Sequence, residues 1–261
     1  RGGTAGCDGT PGRGKLRAGM PRIGKKVHLT SQQSLRAGGK TARAAFLFLS
    51  LCLLSACAAD GGEAGAEAEE ARLQNPLLFA SQFNESAPAI FQARLETTAG
   101  VFVIEVHRDW APLGADRFYN LVKRGWYDGV RFHRVLEDFT AGFGIHDDPY
   151  VNRVWQNELL ADDPVTQSNT RGRVSFARSG ANSRTTHVFV NSKDNSSLDD
   201  RFAPFGEVVE GMEVVDGLYA AYGDGPPRGD GVYQAMALAL GAEYFDAEFP
   251  ELDRIERATI L

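Results

Sequence analysis

From residue 91 onward, apolar and polar residues alternate with the period of two that is typical of β-strands. Residues 91–97 and 101–106 are rich in β-branched and aromatic side chains, and Thr98-Ala99-Gly100 joins them. This arrangement predicts a β-hairpin. The same reasoning predicts further short strands over 130–136, 139–143, 172–177, 186–191, 204–209 and 255–260.

Helical spacing replaces this alternation in two places. Pro112 stands in the first turn of a segment whose apolar residues recur at helical spacing, and Gly125 ends it. A second helix is predicted over about 211–221, and a short one over 234–240. Many short strands, two capping α-helices and no alternation of strands with helices predict a mainly β fold, a closed antiparallel β-barrel.

The first 57 residues follow another pattern. Basic residues precede an apolar run from Ala44 to Leu54, and small residues follow it. This is the order of a secretory signal, and the run is too short to span a bilayer. Its end, Leu54-Ser55-Ala56-Cys57, resembles the bacterial lipobox, in which a peptidase cleaves before a lipid-modified cysteine. Cys57 is therefore the predicted lipidation site; cleavage after Ala56 or Ala59, or an organellar transit peptide, is the alternative.

These patterns divide the chain into a signal (1–57), a flexible linker and lead-in (58–90) and a folded domain (91–261). A lipoprotein would lie in a bacterial cell envelope on the periplasmic face. We expect the outer membrane because Ala58, not an aspartate, follows the cysteine. The alternative is a secreted protein or one of an organelle lumen. The lipid is the only predicted membrane contact, since the sequence has no run of 18 apolar residues.

Charge and cysteine content divide the chain at nearly the same place. Residues 1–59 hold ten Lys and Arg and one acid, whereas 60–261 hold 18 basic and 33 acidic residues. Phosphate binding needs clustered Lys and Arg, so the acidic body argues against nucleic acid as the main partner. Cys7, Cys52 and Cys57 all lie in the first part, which excludes disulfides and thiol catalysis from the body.

Two segments of the body, Phe132–Gly144 and Gly172–Asn191, contain the motifs that point to a known family. With Leu198-Asp199 and the run 205–212 after them, they resemble the cyclophilin family of peptidyl-prolyl cis–trans isomerases. The resemblance extends from about Phe91 to Leu261. It implies an eight-stranded barrel with a groove on its outer face that binds proline-containing polypeptides, and a reaction that needs no cofactor or metal.

The resemblance also implies a role for individual residues. Arg134 matches the catalytic arginine. The implied pocket for the proline ring consists of Phe132, Phe139, Phe189 and Leu198. Ala177, Arg178 and Asn182 match positions along the groove, and Thr140, His187 and Phe202 complete the expected substrate-binding set. A guanidinium that donates to the imide nitrogen would favour a single-bond-like peptide and so lower the barrier to rotation.

Four positions depart from the family. Gly142 stands where a glutamine usually holds the substrate and orients the arginine, and His187 stands where another groove glutamine is usual. Phe202 replaces a histidine, and Ser197 replaces a tryptophan. Without the glutamine we expect a lower rate, since preorganisation is lost. The alternative function is a proline-peptide binding or holdase module with weak or no catalysis.

A second alternative function is that of a metal-assisted hydrolase, because His146, Asp147 and Asp148 offer imidazole and carboxylate ligands. In a loop flanked by Gly and Pro such a group is more often solvated, so we predict no metal site. The expected partners are proline-containing polypeptides, and the expected state is a monomer.

Overall fold

The computed structural model describes Glu70 and residues 74–261. In this part of the chain one antiparallel sheet holds eight strands in the order β3-β4-β6-β5-β7-β2-β1-β8. The strands are β1 (Ile90–Thr97), β2 (Gly100–His107), β3 (Arg134–Val135), β4 (Thr140–Phe143), β5 (Arg173–Phe176), β6 (Val188–Asn191), β7 (Pro204–Glu210) and β8 (Ile255–Ile260). Each predicted strand is present, and β3, β5 and β6 are shorter than predicted.

The predicted hairpin is β1–β2, whose register pairs Ile90 with His107 and Thr97 with Gly100. Gly100 has φ 137° at the turn, a conformation that glycine adopts without strain. In both strands the apolar residues alternate toward the interior, and Leu95, Phe102 and Ile104 are fully buried. The period-two pattern therefore placed these side chains correctly.

The prediction of a closed barrel is wrong: the strands form an open half-barrel. Strands β3 and β8 are the two ends of the sheet, and no ladder joins them in the described chain. A single bridge between Arg131 and Arg254, just outside both strands, brings the ends together. The reason is length, because β3 has only two residues: it pairs with β4 but is too short to form a second ladder with β8.

The described residues form five α-helices: α1 (Pro112–Lys123), α2 (Pro149–Trp155), α3 (Met212–Asp216), α4 (Gln234–Leu240) and α5 (Ala242–Glu248). The two predicted capping helices correspond to α1 and α3, and α3 is shorter than 211–221 because Gly217 follows it. Helix α4 has the predicted bounds. Sequence analysis missed α2 and α5, whose seven residues each give only two turns of periodicity.

The core lies between the concave face of the sheet and α1. Its largest fully buried side chains include Phe102, Phe118, Phe132, Phe143, Phe176 and Phe205. Phe118 of α1 packs against Phe205 of β7 with ring centroids 5.0 Å apart. Burial of this kind is the main stabilising term for such a domain.

Residues 74–90 belong to the domain and not to a flexible lead-in. Leu77, Phe83 and Ala87 are buried in the main core. The indole Nε1 of Trp155 donates to the carbonyl of Leu77 at 2.8 Å, and the N–H of Ala87 donates to Asp116 at 2.8 Å. The sequence prediction failed here because the segment forms only short 3-10 turns without a regular period.

Residues 222–253 form a second, smaller core against the main one. Ile145, Val232, Ala237, Phe245, Phe249 and Leu252 are its buried members. Helices α4 and α5 lie in this segment, and both contribute buried residues to this second core. The secretory signal, Cys57 and the first part of the linker lie outside the described residues. Among the residues described, no helix is long and apolar enough to cross a membrane.

Candidate functional site

A groove of about 630 Å³ lies on the outside of the sheet, along β3, β4 and β6. Nine of the predicted site residues line it: Arg134, Phe139, Thr140, Ala177, Arg178, His187, Phe189, Leu198 and Phe202. They come from strands and from three loops that are distant in sequence. The structure therefore brings together most of the predicted set.

Four apolar side chains form a pocket within the groove: Phe139, Phe189, Leu198 and Phe202. Phe189 lies on β6, and its ring meets that of Phe202 edge to face at 5.4 Å. Leu198 ends the 3-10 turn Ser196–Leu198. A small apolar ring entering here would be held by surfaces from two sides.

Sequence analysis missed a buried polar network beneath this pocket, centred on Asn169. Asn169 is fully buried, and its amide donates to Asp199 at 3.0 Å and to the carbonyl of Phe202 at 2.9 Å. The amide of Asn195 donates to the carbonyl of Phe139 at 2.9 Å. These bonds fix the loops that carry the aromatic walls. The sequence feature that could have revealed this network is the presence of Asn169 and Asn195 between the predicted strands.

Arg134 is the one guanidinium that reaches the groove from β3, and its side chain is 20% exposed. Its Nη1 donates to Oγ1 of Thr140 at 3.2 Å, and its guanidinium carbon lies 5.7 Å from the ring centre of Phe139. Thr140 lies on β4, which pairs with β3, and Phe139 directly precedes β4. Arg134 therefore lies at the edge of the apolar pocket.

A carboxylate that was not predicted, Asp224, holds the other side of this guanidinium. Nε of Arg134 donates to Oδ1 at 2.8 Å and Nη2 donates to Oδ2 at 3.1 Å. The hydrogen bond from Arg134 lowers the pKa of Asp224 below its usual value, so the carboxylate is ionised at neutral pH. Arg228 also contacts Oδ2 at 2.8 Å but is 74% exposed.

Gly142 lies directly opposite Arg134 in the β3–β4 ladder. It brings no side chain to the guanidinium. A Cβ built on Gly142 would meet the carbonyl oxygen of Arg134 at 3.5 Å and its Cβ at 3.8 Å, which are ordinary contacts. The position therefore accepts a Cβ without a clash.

His133 and His187 meet under the groove floor, with ring centroids 5.5 Å apart. Burial lowers the pKa of His187 to about 4. Burial and the neighbouring His187 and Arg134 also hold the pKa of His133 well below its usual value. Both rings are therefore neutral near pH 7, and the charged pair in this part of the site is Arg134 with Asp224.

Two predicted residues do not face the groove. Phe132 is fully buried, and its ring packs between Phe102 and Phe143 in the main core. Its N–H donates to the carbonyl of Asp253 at 2.9 Å, which fixes the backbone with the side chain inward. The prediction that Phe132 forms part of the pocket is therefore wrong. The next residue, His133, lines the groove, whereas the ring of Phe132 lies in the core.

Asn182 is exposed and lies outside the groove lining. It adopts φ 54°, and its backbone N–H and side-chain oxygen bind Asp162 at 2.9 Å each. Arg178, which does line the groove, forms an ion pair with the same carboxylate. Asp162 thus ties Arg178 and Asn182 into one loop.

The group considered for a metal has structural roles instead. Asp148 caps α2 by accepting from the N–H of Tyr150 at 2.8 Å, and Nδ1 of His146 accepts from the N–H of Asp148 at 2.9 Å. Asp147 forms an ion pair with Arg131. Across residues 74–261 the structure shows no group of three His, Cys, Asp or Glu arranged to hold a metal ion.

Comparison with known proteins gives one family. Residues 92–233 match the family described as cyclophilin type peptidyl-prolyl cis-trans isomerase/CLD. The chain is 36% identical over 126 residues to peptidyl-prolyl cis-trans isomerase-like 1 of Rhizopus delemar, covering 46% of this chain and 75% of that protein. It is 33% identical over 128 residues to a peptidyl-prolyl cis-trans isomerase of Acinetobacter baylyi, covering 47% and 68%.

A solved structure of a Cryptosporidium parvum cyclophilin type peptidyl-prolyl cis-trans isomerase has the same fold. The two superpose with a TM-score of 0.50 at 18% identity, covering 66% of this chain and 98% of the other.

Proposed function

Because the chain belongs to the cyclophilin-type peptidyl-prolyl cis–trans isomerases and acts on X-Pro bonds, we propose that Arg134 is its catalytic residue. One observation carries this proposal. The guanidinium of Arg134 lies beside the apolar pocket of Phe139, Phe189, Leu198 and Phe202. A proline ring in that pocket would place its imide nitrogen next to the guanidinium.

The chemistry requires only binding and a hydrogen bond. The barrier to peptide rotation is about 18–20 kcal/mol because the nitrogen lone pair is delocalised into the carbonyl. A donor to that nitrogen favours the pyramidal, single-bond-like state in which the bond turns. Arginine suits the task because it stays protonated and presents five N–H donors in a rigid plane.

Replacing Arg134 with alanine tests the catalytic role. We expect the rate of cis–trans exchange of an X-Pro peptide to fall on the order of 100-fold, since a donor to the transition state is removed. Exchange spectroscopy by NMR at equal enzyme concentration measures it. Arg257→Ala is the matched control, because Arg257 is an exposed residue of β8 outside the groove.

Equal exchange rates for the wild type and Arg134→Ala would refute the catalytic assignment. If the wild-type protein shifts peptide peaks without accelerating exchange, the binding or holdase function is correct instead.

Four apolar side chains of the groove, Phe139, Phe189, Leu198 and Phe202, support the choice of substrate class. We propose that unfolded or flexible proline-containing segments of envelope proteins bind there, and that the protein assists their folding as a monomer.

The envelope location rests on the sequence Leu54-Ser55-Ala56-Cys57 and the basic and apolar residues before it. We propose that the mature protein begins at lipid-modified Cys57 and is tethered to the outer membrane. Intact mass spectrometry of the membrane fraction tests this: the expected chain starts at an acylated Cys57. Cys57→Ser should abolish the modification, whereas Cys52→Ser, in the apolar run, should not. An unmodified soluble chain that starts later would refute the proposal.

A further inference from the structure

The guanidinium of Arg134 contacts one ionised group that the proposed function has not used, the carboxylate of Asp224. It comes from the segment 222–253, 90 residues after Arg134, and its side chain is 18% exposed. Both of its oxygens accept from Arg134, one from Nε and one from Nη2. A two-point bond between planar groups fixes orientation as well as distance.

This bond leaves part of the guanidinium free for substrate. Of the five N–H donors, the described contacts occupy one each on Nε, Nη2 and Nη1, the last donating to Thr140. One N–H remains on each Nη nitrogen. Asp224 and Thr140 therefore hold the guanidinium at two sides, and the remaining donors stay available in the groove.

The backbone around Asp224 is packed tightly enough to hold a fixed position. Gly231 donates from its N–H to the carbonyl of Asp224 at 3.0 Å, and Gly225 donates to Oδ1 at 3.0 Å. A Cβ on Gly225 would overlap the carbonyl oxygen of Val232. Val232 itself is buried in the second core. The turn that carries the Asp224 carboxylate is therefore held by these hydrogen bonds and by its contact with Val232 of the second core.

The residue directly opposite Arg134 in the β3–β4 ladder is Gly142, which has no side chain to support the guanidinium. Without Asp224, the only hydrogen bond at the end of this flexible side chain among the described contacts would be the 3.2 Å bond that Nη1 of Arg134 donates to Oγ1 of Thr140. A misplacement of about 1 Å in a reacting group can cost on the order of 100-fold in rate.

We propose that Asp224 is the positioning residue of the site: its carboxylate holds the guanidinium of Arg134 in the orientation that meets the substrate. The inference rests on the proposed role of Arg134. Asp224 touches no reacting atom, so its loss acts on turnover more than on substrate binding.

The test compares Asp224→Ala and Asp224→Asn with the wild type. Both should lower kcat about 10-fold and change KM by less than twofold. Asn keeps the volume and one acceptor oxygen, so it serves if the alanine variant does not fold. The Nε–H resonance of Arg134 in NMR spectra should shift and broaden in both. Asp230→Ala is the matched control, since Asp230 is an exposed acid of the same segment.

Rescue separates positioning from a general structural effect. In Asp224→Ala combined with Gly142→Gln, a glutamine opposite Arg134 supplies a new acceptor from β4, and we expect at least a threefold recovery of kcat. A rate for Asp224→Ala equal to that of the wild type would overturn the inference. A rate above that of the wild type would also overturn it, because the carboxylate would then inhibit the reaction. If Arg134→Ala is slow in that same assay, the proposed function stands and only the inference fails.

Discussion

His187 shows how burial sets the charge of a single groove residue. Its ring lies against His133 with centroids 5.5 Å apart, and burial lowers its pKa to about 4. In an unfolded chain a histidine titrates near 6.5. The folded state therefore binds fewer protons than the unfolded state between these two values. The contribution of neutral His187 to the free energy of unfolding is therefore complete above pH 6.5 and is lost as the pH falls toward 4.

We expect the free energy of unfolding to fall as the pH drops from 7.5 to 5, with a share on the order of 2 kcal/mol from His187. Urea denaturation at several pH values measures the slope. His187→Gln is the comparison, because glutamine does not titrate and leaves His133 and His146 in place. Parallel pH profiles for the wild type and His187→Gln would contradict the assignment.

At the scale of an element, α1 depends on a residue far from it in sequence. The helix begins at Pro112 after Ala111, which has no side chain to cap it. Asp163 caps it from outside by accepting from the N–H of Leu113 at 3.0 Å and of Gly114 at 2.9 Å. Arg184 donates to the same carboxylate at 3.0 Å. A carboxylate at a helix N-terminus also suits the helix dipole.

Asp163→Ala should lower the free energy of unfolding by about 3–5 kcal/mol, because Arg184 is then a buried charge without this partner. Asp163→Asn keeps an acceptor oxygen and should cost less. Thermal and urea unfolding measure both. Asp109→Ala, an exposed acid just before the helix, serves as control and should change stability by about 0.5 kcal/mol or less. Equal stability of Asp163→Ala and the control would show that the cap contributes little.

For the whole molecule, the segment 222–253 extends the half-barrel on the groove side. It is held to the sheet by Arg131, which donates to Asp246 at 2.5 Å, and by the N–H of Ala242, which donates to Asp147 at 2.9 Å. Arg228, Gln234 and Leu238 from this segment line the groove beside the strand residues. The groove is therefore lined both by residues of the sheet and by residues of the segment 222–253.

The alternation of apolar residues and the spacing of Pro112 and Gly125 determined by themselves the eight strands and α1, because side-chain direction in a strand or helix is a local property. The order of motifs likewise pointed to Arg134 and to the pocket residues Phe139, Phe189 and Leu198. The strands and α1 follow from neighbours within a few positions of each residue, whereas the site residues are implied by the resemblance to the cyclophilin family.

Only the tertiary structure decided the open sheet, the packing of 74–90, the inward direction of Phe132 and the bond between Arg134 and Asp224. Each depends on partners 30 or more residues away, and irregular segments have no period that could reveal such partners. The glycine-rich run 223–231 is the clearest case, since its sequence predicts a loop and nothing more. Its role appears only when the packed turn sets a carboxylate against a guanidinium from β3.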